Sequence, residues 1–219
     1  MTASRPTGPL IGRYIRLDLL TDADLPELFA AIGHPIVFAG GYGGGPSGYT
    51  DTLADFTTFA HGYYNTSANN VYVARLIGGP HDGELVGTST LADFDAVNEH
   101  AHIGWTAWDP RVWGTAVNAE AKLLMLGAAF DNGFGRVKIQ ADALNTRSRA
   151  AIEGIGATFE GIVRRDRRRA DGSWRDAAVF SVIIDDWPRV RGILEARLAP
   201  QGERPVLFRS MPQDSGARA

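Results

Sequence analysis

The chain has 219 residues, 44% of them hydrophobic and 21% charged, with a formal net charge of −3 and no cysteine. That length suits one domain with a substantial core. The charge gives no reason to expect nucleic acid or an anionic membrane surface as partner, and disulfides, thiolate catalysis and cysteine-held metals are excluded. No apolar run approaches the length of a membrane span, so a cytoplasmic location is the default expectation.

Residues 1–9 are polar with two prolines and read as a flexible leader. RYIRLDLL (13–20) alternates as a first strand should. Thr21 then offers a helix cap, Asp22 and Asp24 occupy the first turn, and Leu25, Leu28, Phe29 and Ile32 follow at helical spacing until His34-Pro35 ends the element. FAGGYGGGPSGY (38–49) has the look of a phosphate cradle, but it follows a helix and no lysine succeeds it. It reads instead as a surface loop, or as a mobile wall of a substrate pocket. A helix over about 50–64 comes next.

From residue 71 the pattern becomes sheet. VYVARLIG and ELVGTSTLA form a hairpin about Asp82-Gly83. A third run covers 100–108, a long helix follows, RVKIQADA (136–143) is a strand, and NTRSRAAIEGIG (145–156) a short helix capped by Asn145 and stopped by Gly156. ATFEGIVRRDRRR and WRDAAVFSVII pair about Ala170-Asp171-Gly172, and WPRVRGILEARL (187–198) suits a closing helix. Residues 200–219 read as a polar, poorly ordered tail, leaving 10–199 as one domain. The element order is α+β: a mostly antiparallel sheet with a strand–helix–strand crossover in its middle.

The long helix begins directly after Gly114-Thr115-Ala116 and has no acidic residue before Glu120. Its first amides and positive dipole end therefore suit an anion; Gly114 lets that anion approach closely, and Arg111 is a nearby cation. Val117, Ala121, Leu124, Met125 and Ala128 form the apolar stripe behind it. Asn145 and Ser148 open a second helix just past the next strand. Two parallel strands parting at such a point leave a cleft into which an extended ligand can insert.

Arg111-Val112-Trp113-Gly114-Thr115-Ala116 resembles the acyl-CoA signature Arg/Gln-x-x-Gly-x-Gly/Ala of the GNAT superfamily of N-acetyltransferases. LIGRYIRLDLL, HIGWTAWDPRVWGTAVNAEAKLLML, RVKIQADALNTRSRAAIEGIGATFEGIVRR and DGSWRDAAVFSVI resemble the branch holding the ribosomal-protein N-terminal alanine acetyltransferases. The resemblance runs over roughly residues 10–198. It implies a GNAT-like sheet with a splayed parallel strand pair flanked by helices, and acetyl-CoA or another acyl-CoA as co-substrate with no metal. The acceptor it implies is an amine, on a protein N-terminus or a small molecule, and relatives in this branch often pair as homodimers. An antibiotic- or metabolite-detoxifying enzyme, or a non-catalytic acyl-CoA sensor, are alternatives.

Carried onto this sequence, the resemblance puts the pantetheine arm along Gly104, Trp105, Thr106, Ala107 and Trp108. It puts the pyrophosphate on Arg111, Val112, Trp113, Gly114, Thr115 and Ala116, with Val117 and Asn118 just inside the helix, and Asn145 on the pantetheine arm. Ser148 matches a serine that reaches the coenzyme sulfur. The tyrosine acid of many relatives is replaced by Ile152, which cannot donate a proton and leaves that role to Ser148 or to no acid at all. For the base, Glu99, His100, His102 and Asp176 are candidates, with Glu99 and Asp176 carried forward as the catalytic carboxylates. The His-x-His pair has no third ligand at metal spacing. RRDRRR (164–169) is either an attractor for acidic groups or a solvated edge that resists strand pairing.

Overall fold

The computed structural model describes residues 2–212. In chain order the elements are β1 (Leu10–Ile11), β2 (Ile15–Leu19), α1 (Leu25–Ile32), α2 (Pro35–Ala39), α3 (Leu53–Tyr63), β3 (Asn70–Leu76), β4 (Leu85–Asp95) and β5 (His100–Trp108). Then come α4 (Ala116–Asp131), β6 (Arg136–Asp142), α5 (Thr146–Gly154), β7 (Thr158–Arg168), β8 (Trp174–Ile183) and α6 (Trp187–Leu198). The strands form one sheet in the order β1-β2-β3-β4-β5-β6-β8-β7. Every neighbouring pair is antiparallel except β5 with β6, as the crossover through α4 requires.

Alternation along the strands divides the core in two. Tyr72 and Ala74 join the cluster that packs α4 and α6 on one face of the sheet; Val71 and Val73 join the cluster under α1, α2 and α3 on the other. Pro35 does not simply end a helix. It occupies the first position of α2, where its missing N–H costs nothing.

The parallel pair is short. β5 and β6 are in register from His100–Arg136 to Ile103–Ile139 and then part. β6 stays with β8 as far as Asp142–Ala177, while β5 stays with β4 through a register shift between Thr88 and Thr90. Trp105 takes up the irregularity with a φ of 49°, unusual for a bulky residue.

α4 carries a buried carboxylate that the sequence did not advertise. Glu120, 3% exposed, accepts the backbone N–H groups of Arg13 (2.7 Å), Tyr14 (2.7 Å) and Ile15 (2.8 Å). Three amides take the place of water around the charge. Gly12 is required there because a Cβ would collide with the carboxylate.

Two expectations about the chain ends are corrected. The leader is anchored: Ala3 is buried, and Arg5 donates to the carbonyls of Ser67 (2.8 Å) and Asn69 (2.7 Å). The tail is anchored as far as it is described: Val206 is 2% exposed within the main core, and Arg209 N–H donates to Arg111 O at 2.9 Å. Residues 213–219 lie outside the described residues.

Candidate active site

The parting of β5 from β6 opens into a cavity of about 1010 Å³. One wall is β5 from Ile103 to Trp108; the opposite wall is Ile139–Asp142 of β6 with α5 behind it. The signature turn closes one end, and the Gly40–Gly41–Tyr42 loop with Tyr63 closes the other. Of the residues carried over for the coenzyme, Trp105, Thr106, Ala107, Trp108, Val112, Trp113, Gly114, Thr115, Ala116, Asn118, Asn145 and Ser148 all line it.

At the signature turn Gly114 has a φ of +70°, which a side chain resists. Thr115 caps α4. The amides of Gly114 and Ala116 meet no acceptor among the described residues, so donors and helix dipole face the cavity together. Trp108 Nε1 donates to Asn118 Oδ1 at 3.0 Å and ties the strand to the helix start.

Two carried-over residues behave otherwise. Val117 is fully buried in the core and does not line the cavity. Arg111 is not a free cation. Asp109, 0% exposed, takes its Nε (3.0 Å) and Nη2 (2.6 Å), and its guanidinium stacks 3.9 Å from the Phe208 ring. The Asp109 carboxylate raises the Arg111 pKa by hydrogen bonding, so the pair is a fixed brace beneath the loop.

α5 starts as its sequence suggests: Asn145 Oδ1 accepts Ser148 N–H at 2.9 Å. The Asn145 amide also donates to Gly40 O, which fixes the glycine-rich loop against the cleft. The Ser148 hydroxyl makes no hydrogen bond among the described residues and faces the cavity. Ile152 lines the same wall.

Neither carboxylate proposed as base is in the cleft. Glu99 precedes the paired segment of β5, its carbonyl holding the Gly135 and Arg136 amides, so it sits at the closed end of the strand pair. Asp176 accepts the Arg165 amide at 2.8 Å and, with Arg164 and Arg165, borders a separate shallow depression. His102 does not line the cavity either, but it packs directly behind Gly104, which does. It is 2% exposed, Nδ1 lies 2.9 Å from Asp93 Oδ2, and Nε2 is buried with no hydrogen-bond partner among the described residues. A Cβ on Gly104, where the strands part, would lie 3.0 Å from Nε2. Burial lowers the histidine pKa, the Asp93 hydrogen bond partly opposing it. A neutral ring donating from Nδ1 leaves an Nε2 lone pair beside Gly104, a residue of the cavity wall, although His102 does not itself line the cavity.

Sequence reasoning also missed Lys122. It is 5% exposed, lines the cavity and, among the described residues, reaches only Thr106 Oγ1, at 3.2 Å. Burial without a carboxylate lowers its pKa to about 8. The available signal was Asn118–Lys122, a polar i, i+4 pair beside the apolar stripe. At the loop end, Tyr42 and Tyr64 share a buried hydroxyl contact, and burial raises both pKa values.

The RRDRRR run is exposed from Arg164 to Arg168, but several of its residues are engaged. Arg169 pairs with Asp142 at 2.6 Å, Asp166 pairs with Arg175 at 3.0 Å, and Arg167 lies over the Trp105 ring. Ala170 N–H donates to Gly44 O at 3.2 Å, so the β7–β8 hairpin meets the glycine-rich loop above the cavity. Among the described residues no cluster of three metal-type ligands occurs, and no helix is long and apolar enough to cross a membrane.

The model of the acetyltransferase (GNAT) domain family matches residues 15–158, which includes the signature turn, the splayed strands and α5. The chain belongs to the GNAT acetyltransferase family. Members of this family use acetyl-CoA as the acyl donor. A GCN5-related N-acetyltransferase from Brucella melitensis superposes with a TM-score of 0.80 at 27% identity, covering 92% of this chain and 90% of that one. RimJ of Mycobacterium smegmatis, in complex with CoA-disulfide, shares the fold at a TM-score of 0.63 and 19% identity, covering 93% of this chain and 98% of that one. YdaF of Bacillus subtilis (strain 168), named a "Putative ribosomal N-acetyltransferase", is 33% identical over 108 residues. That match spans 49% of this chain and 58% of YdaF.

Proposed function

We propose that this GNAT chain transfers an acetyl group from acetyl-CoA to a primary amine, by direct attack within a ternary complex. The observation that carries the reading is the pair of open amides at Gly114 and Ala116, set at the head of α4 where the cleft between β5 and β6 begins. Those amides hold a diphosphate. Backbone of β5 beyond Ile103, no longer bonded to β6, holds the extended arm and supplies the N–H that meets the developing oxyanion. Ser148 donates its unengaged hydroxyl to the departing thiolate. His102, oriented by Asp93, takes the proton the ammonium must lose before attack, so the pair replaces Glu99 and Asp176 in that role. Positioning supplies much of the remaining acceleration, because a thioester is already activated.

The acceptor enters between Tyr42, Tyr63 and Trp105, beside Arg175. Aromatic walls with one cation suit an amine whose neighbouring group is a carbonyl or carboxylate, as on a protein N-terminus or an amino-acid-like molecule. The name of YdaF favours a ribosomal protein as acceptor. Phe159, Ile162 and Val163 are exposed on the edge strand β7, which supports a homodimer; sedimentation giving only the 23.6 kDa species would remove that part.

The test is a thermal melt with acetyl-CoA followed by thiol release across a panel of amines and N-terminal peptides. Acetyl-CoA at about 100 times its Kd should add about 2.7 kcal/mol of stability, and at least one amine should release thiol. No shift in melting point sinks the reading. A shift without turnover on any amine leaves an acyl-CoA sensor.

A further inference from the structure

The segment after α6 is built into the cleft. Gln201 Nε2 donates to Arg204 O (2.7 Å) and Pro205 O (3.0 Å), and Tyr14 OH donates to Gly202 O at 2.6 Å. Further on, Val206 enters the core, and Phe208 stacks between the His81 ring and the Arg111 guanidinium, 3.9 Å from each. Arg209 closes the strap: its backbone N–H donates to Arg111 O and its Nη2 to Gly114 O, both at 2.9 Å. A Cβ on Gly114 would lie 2.9 Å from Arg209 Nη1. The strap is thus fixed against the turn that carries the open amides.

The strap also changes the charge of the cavity. Arg204 and Arg209 from the strap, Arg197 from α6 and Arg147 from α5 all line it. None of the four lies within ion-pair distance of a carboxylate among the described residues, whereas Asp142, the acidic residue lining the cavity, is already held by Arg169. Arg147 lies 3.7 Å over the Trp113 ring. Arg197 reaches the end of α5 beside Gly154, and Arg204 holds its backbone neighbours Gln201 and Pro200. A chain of net charge −3 therefore concentrates unpaired cations at one mouth. Arg209 and Arg147 lie at the signature turn, on Gly114 O and over the Trp113 ring, whereas Arg197 lies by Gly154 of α5 and Arg204 on the strap at Pro200 and Gln201. A diphosphate at the turn answers the charge there and leaves Arg197 and Arg204 without an anionic partner among the described residues.

We propose that Arg197 and Arg204 form a phosphomonoester subsite for the 3′-phosphate of the coenzyme's ribose, and that Arg209 backs the diphosphate site. This rests on the acyl-CoA reading above. The strap is thereby a specificity element that separates coenzyme A from its 3′-dephospho form. Guanidinium–phosphate contacts are charge-assisted and directional, so one phosphate is enough to discriminate.

The experiment is calorimetric titration of the full chain with CoA and with 3′-dephospho-CoA, repeated on the double variant Arg197→Ala/Arg204→Ala and on Arg197→Glu. Wild type should bind CoA tighter by about tenfold or more. The double variant should lose that preference while its affinity for 3′-dephospho-CoA stays within about twofold of wild type. Arg197→Glu, at an exposed side chain with no hydrogen bond among the described residues, gives the same reading should the double variant melt early, and should lower the preference further by repulsion. A wild type that binds both ligands equally, or variants that keep the preference, overturns the subsite and leaves the acyl-CoA reading standing. A wild type that binds neither ligand overturns that reading and the subsite with it.

Discussion

At the scale of single residues, the proposed reaction divides the proton traffic between Ser148 and His102. Ser148→Ala should lower kcat by about 10²-fold, with the KM for acetyl-CoA within about twofold, because the hydroxyl acts on the leaving sulfur rather than on ground-state binding. His102→Gln should lower kcat/KM for a protonated amine by a similar factor and remove the acidic limb of its pH profile. Steady-state kinetics from about pH 6 to 9 reads both, and a His102→Gln enzyme with an unchanged profile would put the base elsewhere.

Lys122 belongs to the same scale, but its measure is stability. The folded protein holds it at about 8, against 10.5 for an unperturbed lysine. Below pH 8 both states are protonated and the fold carries the whole cost of the buried charge. Between about 8 and 10.5 the folded state has released a proton that the unfolded chain keeps, so stability rises with pH through that window. Lys122→Met should therefore stabilise the protein at pH 7 by up to about 3 kcal/mol and flatten its stability from pH 8 to 10.5. Urea unfolding at several pH values checks this, and a destabilised Met variant would mean that the ammonium has a partner beyond Thr106.

At the scale of elements, β2 and α4 are joined by one carboxylate. Removing it in Glu120→Ala strands the amides of Arg13, Tyr14 and Ile15 in the core. The expected loss is on the order of 3 kcal/mol, read as a lower denaturant midpoint; a loss below about 1 kcal/mol would mean that water replaces the carboxylate. This joint also marks where the sequence stops being readable. The period of the strands, the cap at Asn145 and the turn at Gly114 are local signals, and the elements they define are present. Glu120 read only as the first acid of α4, because its three partners are more than one hundred positions away. His102 was visible as half of a His-x-His pair, but Asp93, which orients it, sits across a β-bulge that no alternation rule predicts. The polar composition of the last twenty residues suggested solvent, whereas Val206 and Phe208 are anchored by surfaces that exist only once the sheet has formed.

For the whole molecule the salient quantity is where charge sits rather than how much there is. The chain is slightly acidic, yet its cleft is lined by Lys122, Arg147, Arg197, Arg204 and Arg209. Coenzyme affinity should consequently fall by about tenfold or more between roughly 50 mM and 500 mM salt, measured by the same titration. Insensitivity to salt would mean that the arginines stay clear of the ligand.

The contact between Ala170 and Gly44 has one more consequence. It joins the β7–β8 hairpin to the glycine-rich loop, beside the route proposed for the acceptor, by one backbone hydrogen bond among the described residues. A slender chain terminus or a free metabolite can thread past such a link, while a lysine in the middle of a rigid protein surface arrives with flanking bulk on both sides and must first unlatch it. Under the proposed function, selection would therefore act on the width of what carries the nitrogen before any chemistry distinguishes one nitrogen from another.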